Sequence, residues 1–576
     1  MAEEASQQVP LRLEELTANN AASELISEKR RPWQEVVADK VAIRDRLVQV
    51  HCRSLMAVQV ENITSIDDVG DLTERLSVGE FTAEEVVRAY IQRSVDGFNP
   101  LLHVFGAKNP QEPAEHRKRS TNCLTEICFD DAITQAKRLD DYRKAHNRLM
   151  GPLHGVPISL KDQFNVKGFD STLGYVGRAF NPASSNALVV DFLQSQGAIV
   201  LAKTNLPQSI MWGETNNPLW GLTTHPMNPA FTPGGSTGGE GALLAMQGSL
   251  VGWGTDIGGS VRLPGHMNGL WAFKPSSGRL SYRGVEVSID SQQHVPSAVG
   301  PMTRSLSSMT AITKLVIEAE HWNLDSQLPT MPWRNGVFET LSSRPLVIGI
   351  MPDDGVVKPL PPVARVFRET VVRLQAAGHE ILEWDTSLNR RCIAIQDEYY
   401  SADGGEDVRT AVLQGGEPFV PQIQKFIDRG PAISVYQYWQ VNKRKVAAQH
   451  AYLEMWNNMR SASGRPVDIL LVPTMAHPAV PHGRVTPWTG YTKLFNLLDY
   501  PALSFPAGKV DKTIDIKLEP DYIARNDADA WCQDLYDLET MHGHHIGIQI
   551  VGRKFEEEKV LGAAQQIDRL ISVPAN

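Results

Sequence analysis

Cysteine is scarce in this chain of 576 residues. The five, Cys52, Cys123, Cys128, Cys392 and Cys532, form no C-x-x-C pair. An odd, scattered set excludes a disulfide framework and points to a reducing compartment, so the expected location is the cytoplasm. Runs of about 20 apolar residues are missing, so no membrane span is expected. The opening Met1-Ala2-Glu3-Glu4-Ala5-Ser6 carries neither the basic nor the apolar part of a secretory signal. The closing Val573-Pro574-Ala575-Asn576 is not an organelle address. A basic stripe is also lacking. Net charge is −10, whereas a nucleic-acid binder would carry the reverse balance, so no nucleic-acid partner is expected. Short basic runs such as Lys29-Arg30-Arg31 read as solvated surface.

What is present is the material for a large core, with 42% hydrophobic and 21% charged residues. Residues 1–31 are polar and poorly ordered by expectation. From Pro32, Trp33, Val36, Val37, Val41, Leu47 and Val48 recur at helical spacing. A short helix is expected over Asp67–Leu76, and Thr82 with Glu85 forms a capping box that opens another. Residues 107–128 read as an exposed loop. Its Cys123 and Cys128 supply only half of a tetrahedral zinc shell. Helix, strand and helix then alternate. Strands are expected over 158–161, 198–203, 250–253, 345–350, 379–382, 467–473 and 545–552. Helices are expected over 130–146, 186–194, 238–246, 362–377 and 556–570. The pattern predicts an α/β fold with a central mixed β-sheet covered on both faces by α-helices. With no internal repeat or low-complexity linker, one large domain over 76–576 is expected behind an N-terminal helical extension over 1–75. That extension either packs on its own core or mediates a homodimer.

Candidate chemistry concentrates in Pro233–Arg262, which reads PGGSTGGEGALLAMQGSLVGWGTDIGGSVR. Glycine pairs set Ser236 and Ser260 on backbone that few other residues can follow. Gly234–Gly239 before a helix can cradle a phosphate, but the Lys-Ser/Thr pair of a P-loop is missing. Ser260 does not match the G-x-S-x-G elbow of α/β-hydrolases. There is no H-E-x-x-H, and His542, His544 and His545 lie near a turn without a metal-site pattern, so neither metal nor cofactor is expected. A serine nucleophile needs a base, and a neutral lysine can serve. Lys161 ends the apolar strand 158–161. It is either a snorkelling surface residue or a lysine carried inward for chemistry.

The chain resembles the amidase signature family, closest to fungal acetamidase-type amidases. The resemblance rests on Pro233 to Pro264-Gly265, on Gly155-Val156-Pro157-Ile158-Ser159-Leu160-Lys161-Asp162, and on the spacings between them. These are 75 residues from Lys161 to Ser236 and 24 from Ser236 to Ser260. Trp33-Gln34-Glu35, Gly151–Gly155, Met331-Pro332-Trp333-Arg334 and Ala402-Asp403-Gly404 carry the acetamidase likeness. It runs from about residue 30 to the C-terminus; 107–124 resembles an insertion, and Thr237 replaces a commoner serine. The resemblance implies the amidase signature fold and amide hydrolysis by a Ser–cis-Ser–Lys unit without cofactor. Ser260 would be the nucleophile, Ser236 the bridge on a cis Gly235–Ser236 peptide, and Lys161 the base. The amides of Ile257, Gly258, Gly259 and Ser260 would receive the oxyanion. Asp256 and Arg262 would bracket that turn, and Asp162 would face away from Lys161. Gln208–Met211, with Ile210 and Met211 foremost, would line the acyl pocket, and Trp212, Tyr399 and Tyr400 are further wall candidates. The alternatives are an ester hydrolase or acyl transferase using the same triad, or a non-catalytic or partner-dependent amidotransferase-like subunit.

Overall fold

The computed structural model describes residues 31–51, 57–97, 121–484, 488–517 and 521–571. Expectations about residues 1–30, Cys52 and the 107–120 part of the loop fall outside them. Eleven strands make one sheet: β1 (Leu124–Ile127), β2 (Pro157–Lys161), β3 (Ile199–Thr204), β4 (Val251–Asp256), β5 (Trp271–Lys274), β6 (Ala298–Thr303), β7 (Val347–Ile350), β8 (Glu380–Glu383), β9 (Ile469–Pro473), β10 (Ala502–Lys509) and β11 (His545–Val551). Their order is β1-β3-β2-β4-β6-β5-β10-β11-β9-β7-β8. The pairs β3–β2, β2–β4, β9–β7 and β7–β8 are parallel and the others antiparallel, so the sheet is mixed.

Every residue of β2, β3, β4, β6 and β9 is buried. Side chains on a strand alternate between faces, so uninterrupted burial requires cover on both. β2 and β4 run side by side in the same direction, with Leu160 opposite Trp253. Their C-terminal ends therefore bring Lys161 and Thr255–Asp256 to one edge of the sheet, where ligand sites in α/β folds gather.

The N-terminal helix Trp33–Val50 seats Lys40, Arg44 and Val48 against the body. Its Val36, Val37 and Val41 pack with Val176, Leu219 and Trp220. Lys40 Nζ lies 2.6 Å from Glu126 and 2.7 Å from Asp170, a contact that hydrophobic periodicity alone does not reveal. The helix Val69–Val78, capped by the Asp68 carboxylate, runs across position 75, and its Leu72 and Leu76 join the main core. The Thr82–Glu85 capping box is formed in both directions, at 2.9 and 3.1 Å.

The expected exposed loop over 107–128 is corrected at its end. Residues 121–125 are buried, and Leu124–Ile127 is a strand on the edge of β3. Cys123 and Cys128 point into the core, which the polar run preceding them masks in the sequence. Four helices between β8 and β9 went unread: Asn389–Tyr400, Glu406–Gly415, Pro421–Ile427 and Val435–Asn458. The middle two build a small separate apolar core with Leu173, Tyr175, Leu206 and Ile210. Among the described residues no helix is long and apolar enough to cross a membrane.

Candidate active site

Lys161, at the end of β2, is completely buried rather than snorkelling. Its Nζ lies 2.8 Å from Ser236 Oγ and 3.1 Å from Thr255 Oγ1. Burial disfavours the ammonium and, against the weaker pull of Asp256, Glu240 and Asp162, brings the lysine pKa down to about 7. Asp162 Oδ2 instead accepts from the amides of Thr172 and Leu173 and from the Thr172 hydroxyl, at 2.8 to 2.9 Å. Behind the lysine, Glu240 is buried and accepts hydrogen bonds from Ser159 and Thr204. Burial pushes its pKa up to about 8, against the hydrogen bonds from Ser159 and Thr204 and the nearby Lys161, which favour the carboxylate.

Ser236 follows a cis peptide bond after Gly235. It precedes the helix Gly238–Ala245, and the next amide, Thr237 N–H, donates to the Ser260 carbonyl at 3.1 Å. That bond ties the two serine turns together.

The second turn is organised by Asp256. Its carboxylate receives Arg262 through Nε and Nη2, both at 3.0 Å, and both residues are fully buried. Burial alone would raise the Asp256 pKa; the Arg262 guanidinium outweighs it and holds the group well below the usual carboxylate range. Arg262 is fixed in turn by Asn496 and Gln549. Asp256 Oδ1 also accepts the Gly259 N–H at 2.8 Å. Of the four amides assigned to an oxyanion, that of Gly259 thus has a carboxylate partner in this structure. The glycine itself has a reason. Its φ is +131°, and a Cβ there would collide with Thr492 Oγ1. Thr492 Oγ1 in turn donates to the Gly258 carbonyl at 2.7 Å.

Ser260, partly exposed, opens onto a cavity of about 90 Å³. Ile210, Met211, Trp212, Phe426 and Leu263 give its apolar walls, with Gly235, Ile257 and Gly258 beside the serine. Tyr400 lines it and donates to the Ile257 carbonyl at 2.8 Å, whereas Tyr399 turns away to Asn442. Gln208 faces elsewhere, bonded to Pro418 and Val420. Ser209 and Ile210 hold positive φ values of 68° and 60°, which kinks the segment and turns Ile210 and Met211 to the cavity. The histidines stand apart: His544 stacks on Phe231 at 4.6 Å, and His542 accepts from the Lys512 amide at 3.3 Å. Among the described residues no group of three or more potential metal ligands occurs.

A family model described as Amidase matches residues 111–561. The chain belongs to the amidase family. Amidase 1 of Gibberella moniliformis is 57% identical over 541 residues, spanning 94% of this chain and 100% of the relative. An Acetamidase of Emericella nidulans is 33% identical over 560 residues, spanning 94% and 98%. Among solved structures, a Fatty acid amide hydrolase superposes with a TM-score of 0.81 at 30% identity, covering 96% of this chain and 93% of that one. This amidase is accordingly an amide-hydrolysing enzyme with the amidase signature fold.

Several residues of this amidase's site were missed in the sequence. Thr255 sits inside the inspected stretch but carries no spacing signal. Gln163, two residues after Lys161, contacts Thr255 at 2.7 Å. Asp397, Arg429, Thr489 and Lys493 reach the cavity from distant segments. Only the polar Asn/Asp/Lys content of those segments hinted at them, and that is no discriminating signal.

Proposed function

We propose that this amidase hydrolyses small carboxamides to the acid and ammonia or an amine through an acyl-enzyme on Ser260. Lys161, neutral, takes the Ser236 hydroxyl proton as Ser236 takes that of Ser260. Ser260 Oγ attacks the amide carbonyl carbon, and the negative charge moves to the carbonyl oxygen. The amides of Ile257, Gly258 and Ser260 receive that oxyanion, while Gly259 stays on Asp256. The proton returns through Ser236 to the leaving nitrogen as the C–N bond breaks. Water then repeats the sequence on the ester, releasing the acid and restoring Ser260.

The observation that carries this reading is the buried 2.8 Å contact between Lys161 Nζ and Ser236 Oγ. The lysine pKa of about 7 supports it, because a base must be unprotonated at working pH. The cavity of about 90 Å³ supports a short acyl group; an engineered cavity of about 150 Å³ just admits benzene. A relative bearing the name acetamidase agrees with that size.

A hydrolysis panel from acetamide through butyramide to anilides and long-chain amides, read by mass spectrometry, tests the reading. The highest kcat/KM is expected for acyl groups of two to four carbons, in keeping with the small cavity at Ser260. Preference for long-chain amides would overturn the size argument, and turnover by Ser260→Ala would overturn the mechanism.

A further inference from the structure

Gln163 is fully buried and forms the far end of a hydrogen-bond chain that starts at Lys161. Its Nε2 lies 2.6 Å from the Glu286 carbonyl oxygen and 3.0 Å from the Tyr282 hydroxyl. A peptide carbonyl can only accept, so this end of the amide is the NH₂ group and Oε1 is the acceptor. Oε1 stands 2.7 Å from Thr255 Oγ1. A threonine has a single hydroxyl proton, and here it must go to Gln163. Thr255 therefore offers only lone pairs to Lys161 Nζ at 3.1 Å, and the lysine is the donor in that contact.

A neutral lysine amine has two N–H bonds and one lone pair. With an N–H spent on Thr255, the lone pair stays available to Ser236 Oγ at 2.8 Å. Were the chain reversed, Thr255 would donate into that lone pair and the base would be blocked. We propose that Gln163 is a positioning residue that fixes the direction of this chain and so keeps the lone pair of Lys161 on Ser236. The proposal rests on Lys161 being the base, as set out under Proposed function.

The amide does this without adding charge. The carboxyl groups whose charge already acts on Lys161 are Asp256 at the end of β4, Glu240 on the helix Gly238–Ala245, and the neighbouring Asp162. A glutamate at 163 would set a second acceptor against the Glu286 carbonyl and, once ionised, would add a negative charge that favours the ammonium.

The test is the rate of Ser260 labelling by a fluorophosphonate, measured from pH 5 to 10 in wild type, Gln163→Met, Gln163→Glu, Lys161→Met and Ser260→Ala. Gln163→Met should lower the limiting labelling rate by about tenfold or more, with apparent affinity changed by less than about twofold. Gln163→Glu, once ionised, should move the pH midpoint upward by about one unit. Wild-type labelling by Gln163→Met at every pH overturns the proposal. If that variant does not fold, Gln163→Leu takes its place, with the same expected and overturning results. Unimpaired labelling of Lys161→Met or of Ser260→Ala marks failure of the underlying mechanism, a separate outcome.

Discussion

Asp256 and Arg262 meet in a two-pronged ion pair, both contacts at 3.0 Å and both side chains fully buried, on either side of the turn that presents Ser260. The same carboxylate holds the Gly259 and Val261 amides at 2.8 and 3.3 Å. One buried charge therefore shapes the loop, and the arginine is what makes that charge tolerable. Arg262→Met should cost about 3–5 kcal/mol, because it leaves the aspartate buried and unpaired. Denaturant unfolding reads the loss. A variant within about 0.5 kcal/mol of wild type would mean that the pair does not organise the turn.

The pH dependence has a definite sign. If activity needs neutral Lys161, kcat/KM rises about tenfold per pH unit below the lysine pKa of about 7 and levels off above it. Stability follows the same direction. The unfolded chain keeps the Lys161 proton up to the ordinary value of 10.5, whereas the folded protein gives it up near 7. Between these values the unfolded state binds more protons, so stability rises with pH. The penalty is fully present below about 7, is lost towards 10.5, and amounts to about 5 kcal/mol at about 1.4 kcal/mol per pKa unit. Lys161→Met should abolish activity and remove this component. Comparing unfolding curves of the two proteins from pH 7 to 10 checks it.

Gly258 and Tyr400 make a coupled pair. A Cβ on Gly258 would stand 2.5 Å from the tyrosine hydroxyl oxygen. Gly258→Ala should lower kcat by about a hundredfold, the usual scale for disturbing an oxyanion donor. Tyr400→Phe removes the obstructing oxygen, so the double variant should regain part of that loss. Additive effects in the cycle would separate the two residues.

Lys40 bridges Glu126 on β1 to Asp170. Lys40→Met would take from two largely buried carboxylates the cation in direct contact with both, leaving Lys203 nearby. A loss of about 3 kcal/mol in stability is expected, with kcat unchanged because none of the three residues lines the cavity at Ser260. Thermal unfolding and steady-state kinetics check the two halves.

How far the sequence could be read follows from how local each signal is. The alternation of apolar strands and helices made the α/β sheet legible, and the glycine-flanked serines stood out because turn chemistry is written in consecutive residues. The strands β5, β6 and β10 went unread, as did the helices from Asn389 to Asn458. On the last of these, Val435, Tyr436 and Trp439 are exposed, so its apolar residues do not mark the buried face. At the site, Ser236 and Ser260 stood out by their glycine flanks and Lys161 only through the family resemblance; the structure brings Lys161 Nζ to 2.8 Å from Ser236 Oγ. The capture of Gly259's amide by Asp256 was not, since competition for one N–H depends on where a side chain points. Gln163 and Thr255 were likewise invisible, because the direction of a hydrogen-bond chain is set by the carbonyl of Glu286, far along the sequence.

The most direct test of the mechanism is intact-protein and peptide mass spectrometry after reaction with a fluorophosphonate or a slowly released acyl amide. The expected result is a single adduct on the peptide bearing Ser260, absent from Ser260→Ala and strongly slowed in Lys161→Met. An adduct on any other residue, or amide turnover by Ser260→Ala at the wild-type rate, would contradict it.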